Sequence, residues 1–286
     1  MIRMWRTKIT DFIKLLTSNI SAIIGFTIVV GFVVVSLIVA VGGYIVLPYN
    51  PIKQDVGPAF SPPTWEHLFG TDKFGRDLLS RVLYAAPNAL FVSVVVIGSA
   101  TLVGTLLGSC SAYYGGIIDD VLMRITDLFL ALPGIILAIA LSIVLGPGLI
   151  NMMYALMIIW WPPYARMARG EALRISQYAY IEAARAAGLG GGKIILKHII
   201  PNIVPTMIVY ATIDFGQVVM VYAGLSYLGL SVQPPMPDWG AMINEYQRYL
   251  VSAPWLPLFP GLVIAMVVVG FGLLGDGIRD AIETQL

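Results

Sequence analysis

The residue types that most often carry out chemistry are sparse in this chain. Its 286 residues include two histidines, His67 and His198, and one cysteine, Cys110. A single cysteine excludes a disulfide framework, and these three residues alone cannot build a catalytic zinc site. Ser226 could suggest an intramembrane serine hydrolase, but such a serine needs a histidine at the same membrane depth. His67 falls in a predicted outer segment and His198 in a predicted cytoplasmic one, so neither is expected at that depth. We therefore predict no catalytic residue, cofactor site or metal site.

A glycine-rich stretch, 188–193, has some features of a phosphate-binding loop. Such a loop requires Gly, four residues, then Gly-Lys-Ser/Thr, and it follows a strand. Here Ala187 stands at the first glycine position, Ile194 replaces the hydroxyl residue, and an alanine-rich segment precedes the loop. We therefore predict a hinge between two helices.

The charged segment 169–201 interrupts an otherwise apolar sequence. Residues 181–187 favour a helix because they are mostly alanine, and Glu182 and Arg185 are spaced i,i+3. Gly188 is expected to end this helix in the left-handed conformation.

A second helix is predicted beyond the glycines, over 193–200, and Pro201 is expected to stop it. The pattern therefore indicates a short helical hairpin, with small residues on one side and charges on the other. An exposed helix with a smooth alanine face suits insertion into a groove on another protein.

The elements that position this hairpin are predicted to be membrane helices. The chain is 58% hydrophobic and 12% charged, with a mean hydropathy of +0.85, whereas a soluble domain has about 25% charged residues. We predict an all-α, polytopic fold with six transmembrane helices in a lipid bilayer. The predicted spans are 22–47, 88–112, 128–150, 152–168, 204–228 and 256–275.

The first span follows a basic N-terminus, as the apolar core of a signal peptide does. Its length exceeds the roughly 7–15 residues of such a core and is sufficient to cross about 30 Å of hydrocarbon. We therefore predict an uncleaved first helix. We divide the chain into residues 1–87, with the first helix and an outer segment, and 88–286, a five-helix core containing the hairpin.

Orientation is predicted from the basic residues, which membrane proteins concentrate in cytoplasmic segments. With both termini inside, the inner segments hold twelve, namely Arg3, Arg6, Lys8, Lys14, Arg124, Arg166, Arg169, Arg174, Arg185, Lys193, Lys197 and Arg279. The outer segments hold five, namely Lys53, Lys73, Arg76, Arg81 and Arg248. This excess places the hairpin in the cytoplasm. The outer segments also carry aromatic residues that we expect in a headgroup belt: Trp65, Trp239, Tyr246, Tyr249 and Trp255.

Asp214 is the acidic residue that lies well inside a predicted span. A charge at a helix centre costs about 2.5–3.5 kcal/mol, so Asp214 should face a cavity or a partner. With Tyr210 and Gln217 at i−4 and i+3, it could form a polar stripe along a translocation path. The alternative is a buried hydrogen bond to another helix, either of this chain or of a second membrane subunit. A stand-alone channel or an ion-coupled carrier would use Asp214 as its coupling site, but would leave the hairpin unexplained.

The hairpin residues resemble a motif of the integral-membrane permease subunits of ABC importers. That motif reads Glu-Ala-Ala, three residues, Gly, nine residues, an apolar-x-apolar pair and Pro. Glu182, Ala183, Ala184, Gly188 and Pro201 match it in register.

The motif ends in Lys197-His198-Ile199-Ile200-Pro201-Asn202, with His198 at the position that is usually isoleucine. This ending resembles the one typical of the dipeptide/oligopeptide/nickel branch of the family. Four further segments resemble the same branch: 69–84, 127–133, 225–230 and 274–281. The last is characteristic of the second, C-type permease of such systems. Tyr222 stands where relatives often carry a glutamate.

The resemblance implies a type I ABC importer transmembrane fold in the cell (plasma or inner) membrane. It implies four kinds of partner: a homologous second permease, two cytoplasmic ATPase subunits that carry ATP and Mg²⁺, and an extracytoplasmic substrate-binding protein. Peptides are the cargo most often implied, with oligosaccharides or nickel as alternatives. With a net charge of +1, the chain is not expected to bind nucleic acid.

The residues implied to couple the chain to an ATPase belong to the hairpin. They are Tyr180, Ile181, Glu182, Ala183, Ala184, Arg185, Gly188, His198 and Pro201. We expect this helix to dock in a cleft of the ATPase, which performs the catalysis, so that the chain itself is a transport subunit.

Two other patterns carry structural expectations. Gly104 and Gly108 have the spacing that permits close helix approach, either within the chain or against the second permease. Asp77 and Arg81, spaced i,i+4, are expected to lie on a helix at the outer surface that enters the second span.

Overall fold

A computed structural model describes residues 19–283, and these are almost entirely helical. The helices are α1 Ile20–Gly42, α2 Leu78–Tyr114, α3 Gly116–Leu130, α4 Gly134–Leu145, α5 Leu149–Ser176, α6 Ala179–Ala186, α7 Gly191–Ile194, α8 Ile200–Tyr227, α9 Trp239–Tyr246 and α10 Trp255–Glu283. Within residues 19–283 no β-strand forms, and a single isolated bridge joins Thr71 to Asp77. The all-α class is therefore confirmed.

These residues pack into two compact units. One contains residues 19–93, Gly146–Met152 and 212–283, and the other contains Val94–Leu145 and Met153–Ala211. The first unit includes α1, α9 and α10, and the second includes α3, α4 and α6. The sequence-based division at residue 87 describes the order of segments along the chain and stays a prediction.

Four helical segments in the described part of the chain are long and apolar enough to cross a membrane: Ile20–Val46, Leu78–Tyr114, Gly191–Tyr227 and Trp255–Ala281. They overlap the predicted first, second, fifth and sixth spans. α5 covers the predicted fourth span but is less apolar, since it contains Pro162 and Pro163 and carries charges from Arg166 onward. The count of six stays a prediction. So does the orientation, because Arg3, Arg6, Lys8 and Lys14 lie outside the described residues.

The predicted third span, 128–150, is not one straight helix. α3 and α4 are bent by 86° at a break of three residues that includes Pro133. Proline lacks an amide donor and disfavours helical geometry in the residue before it, so the chain turns there. Together the two helices are apolar enough to form one broken span or a re-entrant loop.

Gly104 and Gly108 bring α2 and α5 into close backbone contact. A Cβ atom at Gly104 would lie 2.4 Å from Tyr164 Cβ, and one at Gly108 would lie 2.2 Å from the Ala165 carbonyl oxygen. Such distances leave no room for a side chain. Of the two alternatives for this pair of glycines, the structure shows packing within the chain.

Pro201 does not stop the second helix of the hairpin, contrary to the prediction. α7 continues through a π-helical turn, Ile195–Ile199, into α8, and the whole segment Gly191–Tyr227 runs as one helical stretch. A widened turn accommodates a residue without an amide hydrogen better than a regular helical turn does. In addition, Asn202 Nδ2 donates to the His198 carbonyl oxygen at 2.6 Å. The hairpin is therefore directly continuous with a membrane helix.

Candidate functional site

The first helix of the hairpin, α6, has one buried and one exposed side. Ile181 is completely buried. At about 100° per residue, Ala179, Ala183 and Ala186 lie opposite Ile181, and all three are exposed. Glu182, at the edge of this alanine stripe, is exposed as well. The helix thus presents a smooth surface beside a carboxylate, as the sequence indicated.

α6 ends at Gly188 in the expected left-handed conformation, with φ of +77°. The Gly188 amide donates to the Arg185 carbonyl at 2.9 Å, and the Leu189 amide donates to the Ala184 carbonyl at 3.1 Å. These two bonds form a Schellman motif, which satisfies carbonyls at the end of the helix. A Cβ atom at Gly188 would meet nothing within 4 Å, so backbone conformation rather than space favours glycine there.

The C-terminal end of α6 rests on the end of α2. The Arg185 guanidinium lies over the Tyr113 ring, 4.8 Å from its centroid. A Cβ atom at Gly191 would lie 2.7 Å from Tyr113 Cε1, so glycine permits the second arm of the hairpin to approach this tyrosine. Glu182 and Arg185 also suit the helix dipole, since they lie in the first and last turns respectively.

The two arms of the hairpin meet around Tyr180. Its ring lies 6.3 Å from the ring of His198, and Asn202 Nδ2 donates to the Tyr180 hydroxyl oxygen at 3.4 Å. His198 is half-buried and Pro201 is exposed at the start of α8. The structure therefore brings all the residues predicted for coupling into one hairpin.

The predicted path residues lie on α8. Tyr210, Asp214 and Gln217 are spaced i, i+4 and i+7, so they share one helical face. Tyr210 packs edge-on against Tyr164 with ring centroids 4.8 Å apart. Asp214 is half-buried and Gln217 is exposed. Their role in translocation stays a prediction.

Sequence reasoning missed a buried polar cluster in the predicted outer segments, which we name the outer cluster. It consists of Asp72, Arg76, Asp77 and Arg81, all buried. Arg76 Nε donates to Asp72 Oδ2 at 2.6 Å, and Arg81 Nη1 donates to the Pro51 carbonyl at 2.9 Å. The one sequence signal for this cluster is that 69–84 resembles a signature segment of the family, which marks the segment but does not indicate that its charges are buried.

The expected helix forms and enters the second span, since α2 begins at Leu78 and contains Arg81. Its start is buried, however, and does not lie at the surface, because Asp77 and Arg81 are both buried. Asp77 caps α2, since its Oδ2 accepts from the amide and the hydroxyl of Ser80, both at 2.7 Å. Its Oδ1 lies 2.9 Å from Nδ1 of the buried His67. One carboxylate oxygen of Asp77 therefore caps α2 and the other contacts His67, and the start of α2 is buried.

Two of the five aromatic residues predicted for the headgroup belt are buried as well. Trp239 Nε1 donates to the Val82 carbonyl at 2.8 Å, and the Tyr246 hydroxyl donates to Asp72 Oδ2 at 2.9 Å. These residues fasten α9 to the outer cluster and to α2. Trp65, by contrast, is 96% exposed.

The carboxylate of Asp238 contacts Tyr222, the residue that stands where relatives often carry a glutamate. The carboxylate is buried and accepts hydrogen bonds from Tyr222, Ser226 and, at 3.1 Å, Ser231. It also accepts from the Gly240 amide at 3.2 Å, which caps α9. Burial raises the pKa of Asp238 above its ordinary value, because removal from water penalises the charged form more than these donors stabilise it.

Several apolar helices of membrane-spanning length define a polytopic membrane protein. Comparison with known proteins identifies its family. The chain belongs to the family of binding-protein-dependent transport system inner membrane components, whose model matches residues 100–286.

Relatives with assigned names cover most of the chain. It is 39% identical over 276 residues to the dipeptide transport system permease protein DppC of Alkalihalophilus pseudofirmus, covering 96% of this chain and 88% of that protein. It is 40% identical to the probable D,D-dipeptide transport system permease protein DdpC of Escherichia coli K12, covering 83% and 80%. It is 41% identical to the glutathione transport system permease protein GsiD of Escherichia coli O6:K15:H31, covering 89% and 84%.

The fold matches a solved transporter as well. A chain of the MetNI methionine ABC transporter, in inward-facing conformations, superposes with a TM-score of 0.57 at 22% identity, covering 71% of this chain and 95% of that chain. The predicted ABC importer transmembrane fold is therefore confirmed.

The chain is thus a multi-pass inner-membrane permease subunit of an ABC transporter, and it is a transport subunit rather than an enzyme. Membership of this family implies, in general terms, a partner permease, ATPase subunits and a substrate-binding protein.

Proposed function

We propose that the chain is the second, C-type permease of a peptide importer and forms half of its translocation pathway. The named relatives support this cargo, since two belong to dipeptide transport systems by name and the third to a transport system for glutathione, which is a tripeptide. A homologous second permease would form the other half, and an extracytoplasmic binding protein would deliver the peptide. The same architecture could carry oligosaccharides or nickel, and cargo measurements distinguish these alternatives.

Coupling is assigned to the Glu182–Gly188 region of the hairpin. The observation that carries this proposal is the exposed alanine stripe of α6, which lies opposite the buried Ile181. A helix held by one face and bare on the other is suited to insertion into a cleft of a partner. Two cytoplasmic ATPase subunits would bind ATP and Mg²⁺ and receive this helix.

The energy needed for the conformational change is consistent with such a partner. Moving a two-state equilibrium from 1:99 to 99:1 takes about 5.5 kcal/mol of differential binding. An ATPase that closes on ATP could provide it and transmit it through α6 as rigid-body movement of the membrane helices.

The test of coupling uses the importer reconstituted with all its subunits in liposomes. Glu182→Lys and Ala183→Trp alter the exposed face of α6 without touching its buried side. Both variants should lose at least tenfold in uptake and in cargo-stimulated ATP hydrolysis. Glu66→Lys is the matched control, because Glu66 is an exposed glutamate in a predicted outer segment, and it should retain both activities. Normal uptake in both α6 variants would refute the proposal.

Cargo is tested with the same liposomes and the cognate binding protein. Labelled di- and tripeptides should be taken up in an ATP-dependent manner, whereas oligosaccharides and Ni²⁺ should not. Mass spectrometry of the ligand retained by the binding protein provides a second readout. Uptake driven by an ion gradient in liposomes without ATP would instead favour a carrier.

The polar stripe Tyr210, Asp214 and Gln217 is proposed to line the pathway. Its position on one face of α8 and the half-buried state of Asp214 support this role. Asp214→Asn should change the KM of uptake for charged peptides more than that for neutral ones. An equal change for every cargo would indicate a packing role instead.

A further inference from the structure

The junction between α2 and α3 is a sharp turn made by two glycines. Gly115 and Gly116 both have positive φ, +61° and +53°, and a Cβ atom at either would meet nothing within 4 Å. Only the backbone conformation requires glycine at these positions. The turn therefore sets the direction in which α3 leaves α2, while other contacts must hold α3 in place.

Asp119, in the first turn of α3, makes these contacts. Its two carboxylate oxygens accept from Arg169 of α5, with Nε to Oδ1 at 2.6 Å and Nη2 to Oδ2 at 2.5 Å. The buried Ser111 of α2 donates to the same carboxylate. A bidentate arginine–carboxylate pair fixes direction as well as distance. Asp119 therefore ties three helices together at one point.

Both ends of α6 lead back to this point. At its N-terminal side, α6 is separated from the end of α5, Ser176, by only two residues. One of them, Tyr178, accepts a hydrogen bond at its hydroxyl from Arg174 Nη1 of α5 at 3.1 Å. At its C-terminal side, Arg185 rests on Tyr113, two residues beyond Ser111 on α2. α6 is therefore connected to Asp119 both through α5 and through α2.

α3 is long enough to act as a lever. It contains 15 residues, which corresponds to about 22 Å. A rotation of about 5° at its start would move its far end by about 2 Å. The far end is the 86° bend into α4, so a small rotation at Asp119 becomes a displacement of the bent pair.

We propose that Asp119 is a positioning residue that transmits the movement of α6 to the bent pair α3–α4, through its bidentate bond to Arg169 and its bond to Ser111. The proposal rests on the coupling role proposed for α6. The neighbouring pair Arg166–Asp127 joins the same two helices, α3 and α5, but its side chains are 56% and 60% exposed, against 33% and 18% for Arg169 and Asp119. Exposed pairs contribute little, so Arg166–Asp127 provides a matched control.

The experiment measures cargo transported per ATP hydrolysed by the complete importer in liposomes. Asp119→Asn and Arg169→Gln should each leave hydrolysis stimulated by the loaded binding protein, while cargo per ATP falls at least fivefold. The double variant should be no worse than the poorer single variant, because both remove one shared interaction. Arg169→Lys keeps the positive charge but cannot form the bidentate bond, so its cargo per ATP should be intermediate. Asp127→Asn should transport cargo per ATP within twofold of the wild type.

A distance measurement gives a second readout that does not depend on activity. Spin labels at the exposed positions Lys193 of α7, on the second arm of the hairpin, and Val144 of α4, in a Cys110→Ser background, should show a narrow distance distribution without the substitutions under test. The distribution should broaden in Asp119→Asn and stay narrow in Asp127→Asn.

Failure of this inference is distinguishable from failure of the coupling role. Wild-type cargo per ATP and a narrow distribution in Asp119→Asn would overturn the linkage, even if Ala183→Trp still abolishes transport. Normal transport in Ala183→Trp would overturn the coupling role itself and with it the premise of the linkage.

Discussion

The hairpin and the outer cluster are both polar segments of an apolar chain, and they differ in how far their charged side chains are exposed to water. In the hairpin, Glu182, Arg185 and Lys193 are exposed. In the outer cluster, Asp72 and Arg76 are buried and bonded to each other and to neighbouring groups. Both segments carry charges of both signs, but the charges named in the hairpin face water and those in the outer cluster do not.

The difference indicates what each region is for. Buried ion pairs repay their desolvation only when their geometry is satisfied, so they fix a loop in one arrangement. Exposed charges beside a small-residue face cost little and remain available to a partner. The outer cluster therefore holds the segment that precedes α2 in place, whereas the hairpin leaves its charges exposed on the surface that we propose for docking. Four substitutions test this contrast.

Asp72→Ala should have the largest effect. It leaves Arg76 and Arg81 buried without the carboxylate that Arg76 bonds and Arg81 approaches, at a cost of about 3–5 kcal/mol. The thermal unfolding midpoint of the purified importer, and the yield of assembled complex, should both fall sharply. Glu66→Ala, at an exposed site, should leave both unchanged. Equal midpoints for the two variants would show that the outer cluster does not hold the segment that precedes α2 in place.

Gly108→Ala should come next, because it disturbs the packing beneath the hairpin. The added Cβ would lie 2.2 Å from the Ala165 carbonyl oxygen, a backbone atom that cannot rotate away. We expect about 1–3 kcal/mol of destabilisation, read as a lower unfolding midpoint. Gly98→Ala is the control on the same helix, since nothing lies within 4 Å of its Cβ. A drop in both would point to helix propensity or partner contacts instead.

Gly188→Ala should have an effect confined to the hairpin. A left-handed conformation costs a non-glycine residue about 1–2 kcal/mol, so the Schellman end of α6 should loosen and cargo-stimulated ATP hydrolysis should fall several-fold. Gly190→Ala is the control, because Gly190 has φ of −64° and open space around it. The proposal would be weakened if both variants hydrolysed ATP at the same stimulated rate.

Arg185→Gln should have the smallest effect. It removes the cation over the Tyr113 ring, worth about 0.5–1 kcal/mol at an exposed site. The stimulated ATPase activity should decline modestly, and Tyr113→Leu should add little to the defect. Additive losses would show that Arg185 acts on the partner and not on Tyr113.

Much of this molecule could be predicted from local pattern. Long apolar runs predicted the membrane helices, because a segment surrounded by lipid must satisfy its backbone internally. Gly188 was identified as the end of α6, since the left-handed conformation is a local property of the backbone. The Glu182–Pro201 spacing and the segment 274–281 indicated the family, which the matched relatives confirm.

Two failures are local, namely the bend at Pro133 and the continuous helix at Pro201, and the others concern which groups meet in the folded chain. Asp77 and Arg81 have a spacing typical of a helical pair, yet Asp77 bonds Ser80 and His67 while Arg81 reaches Pro51. Trp239 was expected at the headgroups and is buried through a bond to Val82, 157 positions away.

The sequence by itself thus determined the class of protein, its helices and the short helix it presents, because periodicity, caps and apolar length are encoded within a few turns. Only the tertiary structure decided which charges are buried and that Asp119 meets Arg169, 50 positions away. The physical reason is that an ion pair's partner, and whether it lies in water, depend on which helices pack together. The local spacing of residues does not determine which helices pack together.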